Sequence, residues 1–229
     1  MKEERILFAL TCLALILVIA MSPWSVGAKA SPAVEIWCEG DNAVYSAGGS
    51  GPGIYLTGGW NLISLPVVPF DPSIEGVLAT LVYPYDLLSV WHYDACEDEW
   101  LVYGEGQTSL KTMEAGKAYW VRMRYPDEQH WDSAVSGKYP YALWVFGTTR
   151  PMPPSLPPAY DVCAGWNMVG FTSTEEMAPA GYLGSFTPSE YGTIHGWDPV
   201  LANWASNPAT LVPGRGYWIP FSVTGTIYP

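Results

Sequence analysis

Gly59-Trp60-Asn61-Leu62-Ile63-Ser64-Leu65 is answered about a hundred residues later by Gly165-Trp166-Asn167-Met168-Val169-Gly170-Phe171. Two openings this similar in one chain point to an internal repeat, and the rest of the chain supplies it. Val90-Trp91-His92-Tyr93-Asp94 finds a partner in Ile194-His195-Gly196-Trp197-Asp198, and the same spacing then reaches Trp100 in one copy and Trp204 in the other. Gly116-Lys117-Ala118-Tyr119-Trp120-Val121 matches Gly214-Arg215-Gly216-Tyr217-Trp218-Ile219, and Val135-Ser136-Gly137 matches Val223-Thr224-Gly225. Four landmarks in one order mark a duplication. The expected plan is an N-terminal strand and Gly-rich loop over 31–58, a first repeat domain over 59–149, a Pro-rich linker over 150–160 and a second repeat domain over 161–229.

Within each copy the pattern is that of strands. Leu62–Leu65 continues the opening motif until Pro66 and Pro69 stop its ladder. Leu87–Tyr93 and Trp100–Tyr103 flank the polar stretch Asp94-Ala95-Cys96-Glu97-Asp98-Glu99, which predicts a hairpin. In Ala118–Arg124 alternation puts Trp120, Arg122 and Arg124 on one face and Tyr119, Val121 and Met123 on the other; the arginines mark the first as the wetter face. Tyr141–Phe146 is nearly all apolar and reads as a strand covered on both sides. Asp71-Pro72-Ser73-Ile74 predicts a helix start with an Asp N-cap and Pro in the first turn, followed by Ile74, Val77, Leu78, Leu81 and Val82 at helical spacing. The second copy places Ser173–Met177 at the same point, ahead of a shorter helix. The expected fold is therefore mainly β: two tandem duplicated sheet-based domains, sandwich or barrel-like, each with one short helix.

The N-terminus carries Lys2 and Arg5, an uncharged apolar run from Ile6 to Met21, and small-residue cleavage signals at Val26–Ala28 and Ala28–Ala30. That order predicts a secretory signal peptide over 1–30, too short in its apolar core for a spanning helix; the competing reading is a retained anchor. Cys12 lies inside the run without a lipidation box. The formal charge is −12 at pH 7, an acidic balance that repels phosphate backbones and speaks against nucleic acid as a partner. Cleavage would leave Cys38, Cys96 and Cys163 in an oxidising compartment, an odd number in which one thiol has no partner within the chain. As read from the sequence, the second copy lacks a counterpart of Tyr141–Phe146, leaving a sheet edge open to pairing. Val34–Trp37 would fill it, in the same chain or in a neighbour by strand addition. Filled in the same chain, it would bring Cys38 to Cys163 as a disulfide.

The order Gly-Trp-Asn-Leu, then Tyr-Asp followed six residues later by Trp, then Gly-x-x-Tyr-Trp resembles a tandem repeat of secreted and surface-layer-like proteins of bacteria and archaea. The likeness covers about 59–137 and 165–225. It implies an extracellular or cell-surface location and carries no catalytic assignment. The Tyr93-Asp94…Trp100 piece alone is similar to part of a kelch repeat, but two copies of this length do not make a propeller.

Twelve tryptophans are the most unusual feature of the composition. Trp60, Trp100, Trp120, Trp166, Trp204 and Trp218 recur in register, and repetition beside glycines reads as structural core, since each ring buries about 150–250 Å². The unduplicated Trp37 and Trp131, with His130, are the candidate ligand-binding residues; Trp144 sits in an apolar strand. Asp94, Glu97, Asp98 and Glu99 crowd one hairpin tip and are the candidate Ca²⁺ ligands, although Asp94 and Asp198, present in both copies, suit turn capping better. No nucleophile elbow, metalloprotease helix, phosphate loop or cysteine–histidine signature is present, so no catalytic residues and no cofactor beyond that calcium are expected. The expected function is a non-catalytic secreted or surface module for structure, adhesion or assembly, whose partners are other extracellular proteins or the cell envelope, self-assembly by strand addition included. A carbohydrate-binding module is the alternative, and a glycan-acting hydrolase a distant third.

Overall fold

A computed structural model of the chain describes residues 35–39, 42–46, 53–81, 84–126, 141–148 and 159–229, the first two stretches as backbone alone. The signal-peptide segment, the spacer over 150–158, His130 and Trp131 fall outside it, as does the side chain of Trp37.

The chain is mainly β, and the described residues form antiparallel sheets, two short α-helices and one 3-10 turn at Pro84–Asp86. Strands β1 (Glu35–Glu39) and β2 (Asn42–Ser46) pair with each other as a hairpin. The first repeat runs through β3 (Ile54–Leu56), β4 (Gly59–Ser64), β5 (Val68–Pro69), helix α1 (Ile74–Leu78), β6 (Leu87–Asp94), β7 (Glu99–Gly104), β8 (Gln107–Thr108), β9 (Ala118–Met123), β10 (Tyr141–Leu143) and β11 (Gly147–Thr148). The second runs through β12 (Tyr160–Val162), β13 (Gly165–Gly170), helix α2 (Pro179–Tyr182), β14 (His195–Asp198), β15 (Asn203–Ser206), β16 (Gly216–Phe221) and β17 (Gly225–Ile227).

The main sheets have the same order, β4-β9-β6-β7-β8 in the first repeat and β13-β16-β14-β15 in the second. Their registers coincide as well: Trp60 faces Arg122 and Leu62 faces Trp120, as Trp166 faces Pro220 and Met168 faces Trp218. Among the described residues neither main sheet closes on itself. In each repeat, a two-stranded ladder and the helix cover one face of the sheet. Ile54, Leu56, Ile74, Val77, Tyr119, Val121, Tyr141 and Leu143 make the first core. Val162, Tyr182, Leu183, Tyr217, Ile219, Phe221 and Ile227 make the second.

Several expectations need correction. The second repeat does have its closing strand: β17 pairs with β12 as β10 pairs with β3. The slot assigned to Val34–Trp37 is therefore occupied, and β1 is paired with β2 instead. Without that placement Cys38 loses its reason to meet Cys163, which is bonded to Cys96. The cap of α1 is Ser73, whose Oγ accepts from Gly76 N at 3.1 Å, while Asp71 accepts from Ser73 N one step earlier. Helix α2 starts at Pro179 and not at Ser173, because proline fits the first turn, where no amide is needed. The strand predicted over Tyr141–Phe146 is buried and laddered only as far as Leu143.

The repeats belong to one unit, Val34–Pro229, and the contacts between them come in reciprocal pairs. Ser64 N donates to Gly214 O at 3.0 Å, and its counterpart Gly170 N donates to Gly116 O at 2.8 Å. The Ile63–Arg215 bridge is matched by Val169–Lys117. Reciprocity of this kind is the signature of a two-fold relation. Leu62, Ala118 and Met168 are buried at this junction.

Candidate functional site

The repeated motifs resolve into separate jobs. Gly59 and Gly165 take φ of +88° and +110°, a region open to glycine. The next-but-one asparagine holds the turn they make. Asn61 Oδ1 accepts from Thr57 N at 2.8 Å while its Nδ2 donates to Thr57 O at 2.9 Å; Asn167 makes the same pair with Cys163 at 3.0 and 2.7 Å. In Gly-x-x-Tyr-Trp the tyrosine turns inward. Tyr119 Oη accepts from Glu114 N at 2.6 Å and Tyr217 Oη from Val212 N at 2.8 Å, and burial pushes both phenols above the usual tyrosine range. Glycine, asparagine and tyrosine are thus the scaffold.

The tryptophans divide, since Trp120 and Trp218 pack against the buried junction of Leu62, Ala118 and Met168 while Trp60, Trp100, Trp166 and Trp204 stand exposed. Period-two alternation sends them to the face of each sheet opposite its core. Trp60, Trp91, Tyr93, Trp100 and Trp120 lie on that face of the first sheet. Trp166, His195, Trp197, Trp204 and Trp218 lie at the corresponding positions of the second. Of the six assigned to the core, Trp60, Trp100, Trp166 and Trp204 are 40%, 46%, 48% and 49% exposed, and Trp120 and Trp218 are half-buried. The sequence held one signal for this: Trp120 shares its face with Arg122, which is exposed.

The two aromatic faces meet. Trp120 touches Trp197 and Trp204 of the other repeat at centroid distances of 5.6 and 5.7 Å. Trp218 reciprocates with Tyr93 and Trp100 at 5.8 and 6.0 Å. Beside this ring of contacts lie two adjoining open clefts. The first, about 470 Å³, is walled by Trp60, Trp91, Trp100 and Trp120 of one repeat and Trp197 of the other. The second, about 640 Å³, is walled by Trp166, His195, Trp204, Ser206 and Trp218, with Tyr93 and Trp100 from the first repeat. The two-fold turns the walls of the first cleft into Trp166, His195, Trp204, Trp218 and Tyr93, all walls of the second. Each cleft needs both repeats, and Trp100 stands in both.

The described side chains walling the first cleft offer indole donors, while the second adds His195, Ser206 and Tyr93, which can also accept. Trp91 Nε1 donates to Ser89 Oγ and Trp197 Nε1 to Trp60 O, both at 2.9 Å. No acceptor among the described residues meets the Nε1 of Trp60, Trp100, Trp120, Trp166, Trp204 or Trp218. The Arg122 guanidinium lies 5.4 Å from the Trp60 ring and pairs with Glu105 at 3.1 Å. In the second cleft His195 Nδ1 and Ser206 Oγ are bonded to each other at 3.1 Å, and the Tyr93 hydroxyl donates to Asp98.

The carboxylates proposed for calcium do not converge. Among the described residues no group of three or more His, Cys, Asp or Glu side chains is placed to hold a metal ion. Asp94 Oδ1 accepts from Cys96 N and Glu97 N, as Asp198 Oδ1 accepts from Val200 N and Leu201 N, so both cap their hairpin turns. Cys96 at that tip is bonded to Cys163 just ahead of β13. At the two-fold equivalent place, Thr57 Oγ1 donates to Pro199 O at 3.3 Å. One hairpin tip is tied covalently and the other by a hydrogen bond. Comparison of the chain with protein-family models, curated proteins and solved structures gives no match. The fold and the site define a class all the same: a two-fold β scaffold presenting a double aromatic cleft.

Proposed function

We propose that this chain is a non-catalytic recognition module of the secreted or cell-surface kind, an adhesion or assembly element whose partner docks in the double aromatic cleft. The observation that carries the reading is the exposure of four matched indoles around clefts that neither repeat can form alone. Leaving such rings in water is unfavourable: covering on the order of 100 Å² of each would return about 2–3 kcal/mol per ring before the costs of association. Rings that only stabilised the fold would be expected deeper in it. Carbohydrate binding is the second reading, favoured by the same half-exposed indoles, which could stack against sugar rings.

The test is NMR of the indole N–H groups during titration with a panel of soluble oligosaccharides and peptides. A ligand of this site shifts the six indole N–H signals without an acceptor more than those of Trp91 and Trp197, and Trp100→Ala abolishes the response in both clefts. Ligands that bind while every cleft indole stays unmoved would refute the assignment.

A further inference from the structure

Resting on that reading, we infer that the occupant of the double cleft is a proline-rich polypeptide segment in the extended polyproline conformation, supplied by a partner protein. Two independent features of the clefts select it.

The first is hydrogen-bonding chemistry. The described side chains walling the first cleft are all indoles, and an indole nitrogen donates and never accepts. A sugar hydroxyl brings a donor with every acceptor, and those donors would meet no side-chain acceptor on these walls. A proline residue brings a carbonyl acceptor, an apolar ring and no N–H. Its needs match the walls: a π face for the ring and an N–H for the carbonyl. Trp60, Trp100 and Trp120 supply such N–H groups in the first cleft, and Trp166, Trp204 and Trp218 supply them around the second.

The second is the angle between walls. Trp60 meets Trp120 at 82°, Trp120 meets Trp197 at 73° and Trp204 at 88°, and Trp91 meets Trp100 at 74°. In the other half Trp166 meets Trp218 at 71° and Trp197 meets Trp204 at 73°, while the second cleft also holds shallower tilts, 31° between Tyr93 and Trp218 and 58° between Trp100 and Trp218. A flat oligosaccharide strand stacks on a coplanar row of rings, whereas the neighbouring rings of the first cleft cross steeply. A polyproline helix has three residues per turn and presents its rings in different directions around its axis, so it projects ridges into notches walled by crossed rings. Aromatic-lined grooves reading such preformed helices are an established mode of recognition. Two adjoining notches sharing Trp100 suit consecutive turns of one ligand, and the acidic charge of −12 favours a neutral or basic peptide over an acidic one.

The experiment titrates the folded protein with a decaproline peptide, with a synthetic peptide of the sequence of residues 150–158, with an all-alanine-for-proline version of the latter, and with cello-, xylo- and chito-oligosaccharides. Tryptophan fluorescence and indole N–H shifts are the readouts. The expected result is saturable binding of both proline-rich peptides. Affinity should drop roughly tenfold or more for the alanine version and for Trp100→Ala or Trp120→Ala, the scale of loss typical of a central aromatic anchor. Urea midpoints of the variants separate lost binding from lost folding. Trp60→Ala, at an exposed ring, provides a milder variant should Trp120→Ala unfold. Oligosaccharides that shift the cleft indoles while the peptides do not would overturn the proline assignment and leave the recognition reading standing. Peptides that bind equally well to wild type and to Trp100→Ala would overturn the assignment too. Failure of the recognition reading itself would look different, with bound ligands and unmoved cleft indoles.

Discussion

Asn61 and Asn167 show how one side chain fixes a whole repeat. Each is buried and closes a ring of hydrogen bonds with the backbone four residues earlier. Replacing either by alanine strands an N–H and a C=O away from water, at about 1–3 kcal/mol. Asn61→Ala and Asn167→Ala are therefore expected to lower urea stability by similar amounts, and unequal losses would break the equivalence of the repeats. His92 adds a dependence on pH. It is buried, its Nδ1 lies 2.9 Å from Ala118 O, and burial lowers its pKa below the ordinary value of 6.5. The carbonyl can only accept, so Nδ1 carries the proton of the neutral ring. The unfolded chain then takes up a proton before the folded one does. The contribution is complete above about pH 6.5 and is lost as pH falls through the lowered value of the folded state. Urea midpoints should fall between pH 7.5 and 5.5, and His92→Gln should flatten that slope.

At the scale of strands and helices, the scaffold was readable because its instructions are local. Alternation in Ala118–Met123 assigns the two faces of β9, and a polar tip between aromatic runs predicts the β6–β7 hairpin; both are in the structure. The tryptophans misled because repetition was equated with burial. A ring can recur because two copies of a surface are needed, and only the arginine sharing the face of Trp120 hinted at that. The closing strand β17 was hidden by its brevity, since Gly225–Ile227 carries no apolar run to match Tyr141–Leu143. Docking of the repeats was beyond local reading, because it depends on contacts such as Ser64 Oγ donating to Arg215 O at 2.7 Å, 151 residues away. The counterpart of Ser64 is Gly170, where an added Cβ would lie 2.3 Å from Lys117 O. Serine's hydroxyl fits one side of the junction, while the other side has no room for a side chain. Gly170→Ala should thus separate the strands at the junction and cost about 1–3 kcal/mol. Cleft-indole NMR shifts would report the separation.

For the molecule as a whole, the disulfide breaks the symmetry. Cys96–Cys163 spans 67 residues, and closing a loop of that length stabilises by up to about 4 kcal/mol in the chain-entropy account. Reduction, or Cys96→Ser with Cys163→Ser, should lower stability toward that extent. It should also disturb the indoles of Trp91 and Trp100, which ride on the tethered hairpin, more than those of Trp197 and Trp204 on the other hairpin, where Trp197 is held by its bond to Trp60 O. Equal changes in the two sets of indole signals would contradict this. The reciprocity of the junction also bears on assembly. A surface that completes a copy of itself is, in a chain carrying it once, half of an isologous homodimer. Here both halves of that interface lie in one polypeptide, so their pairing does not depend on protein concentration.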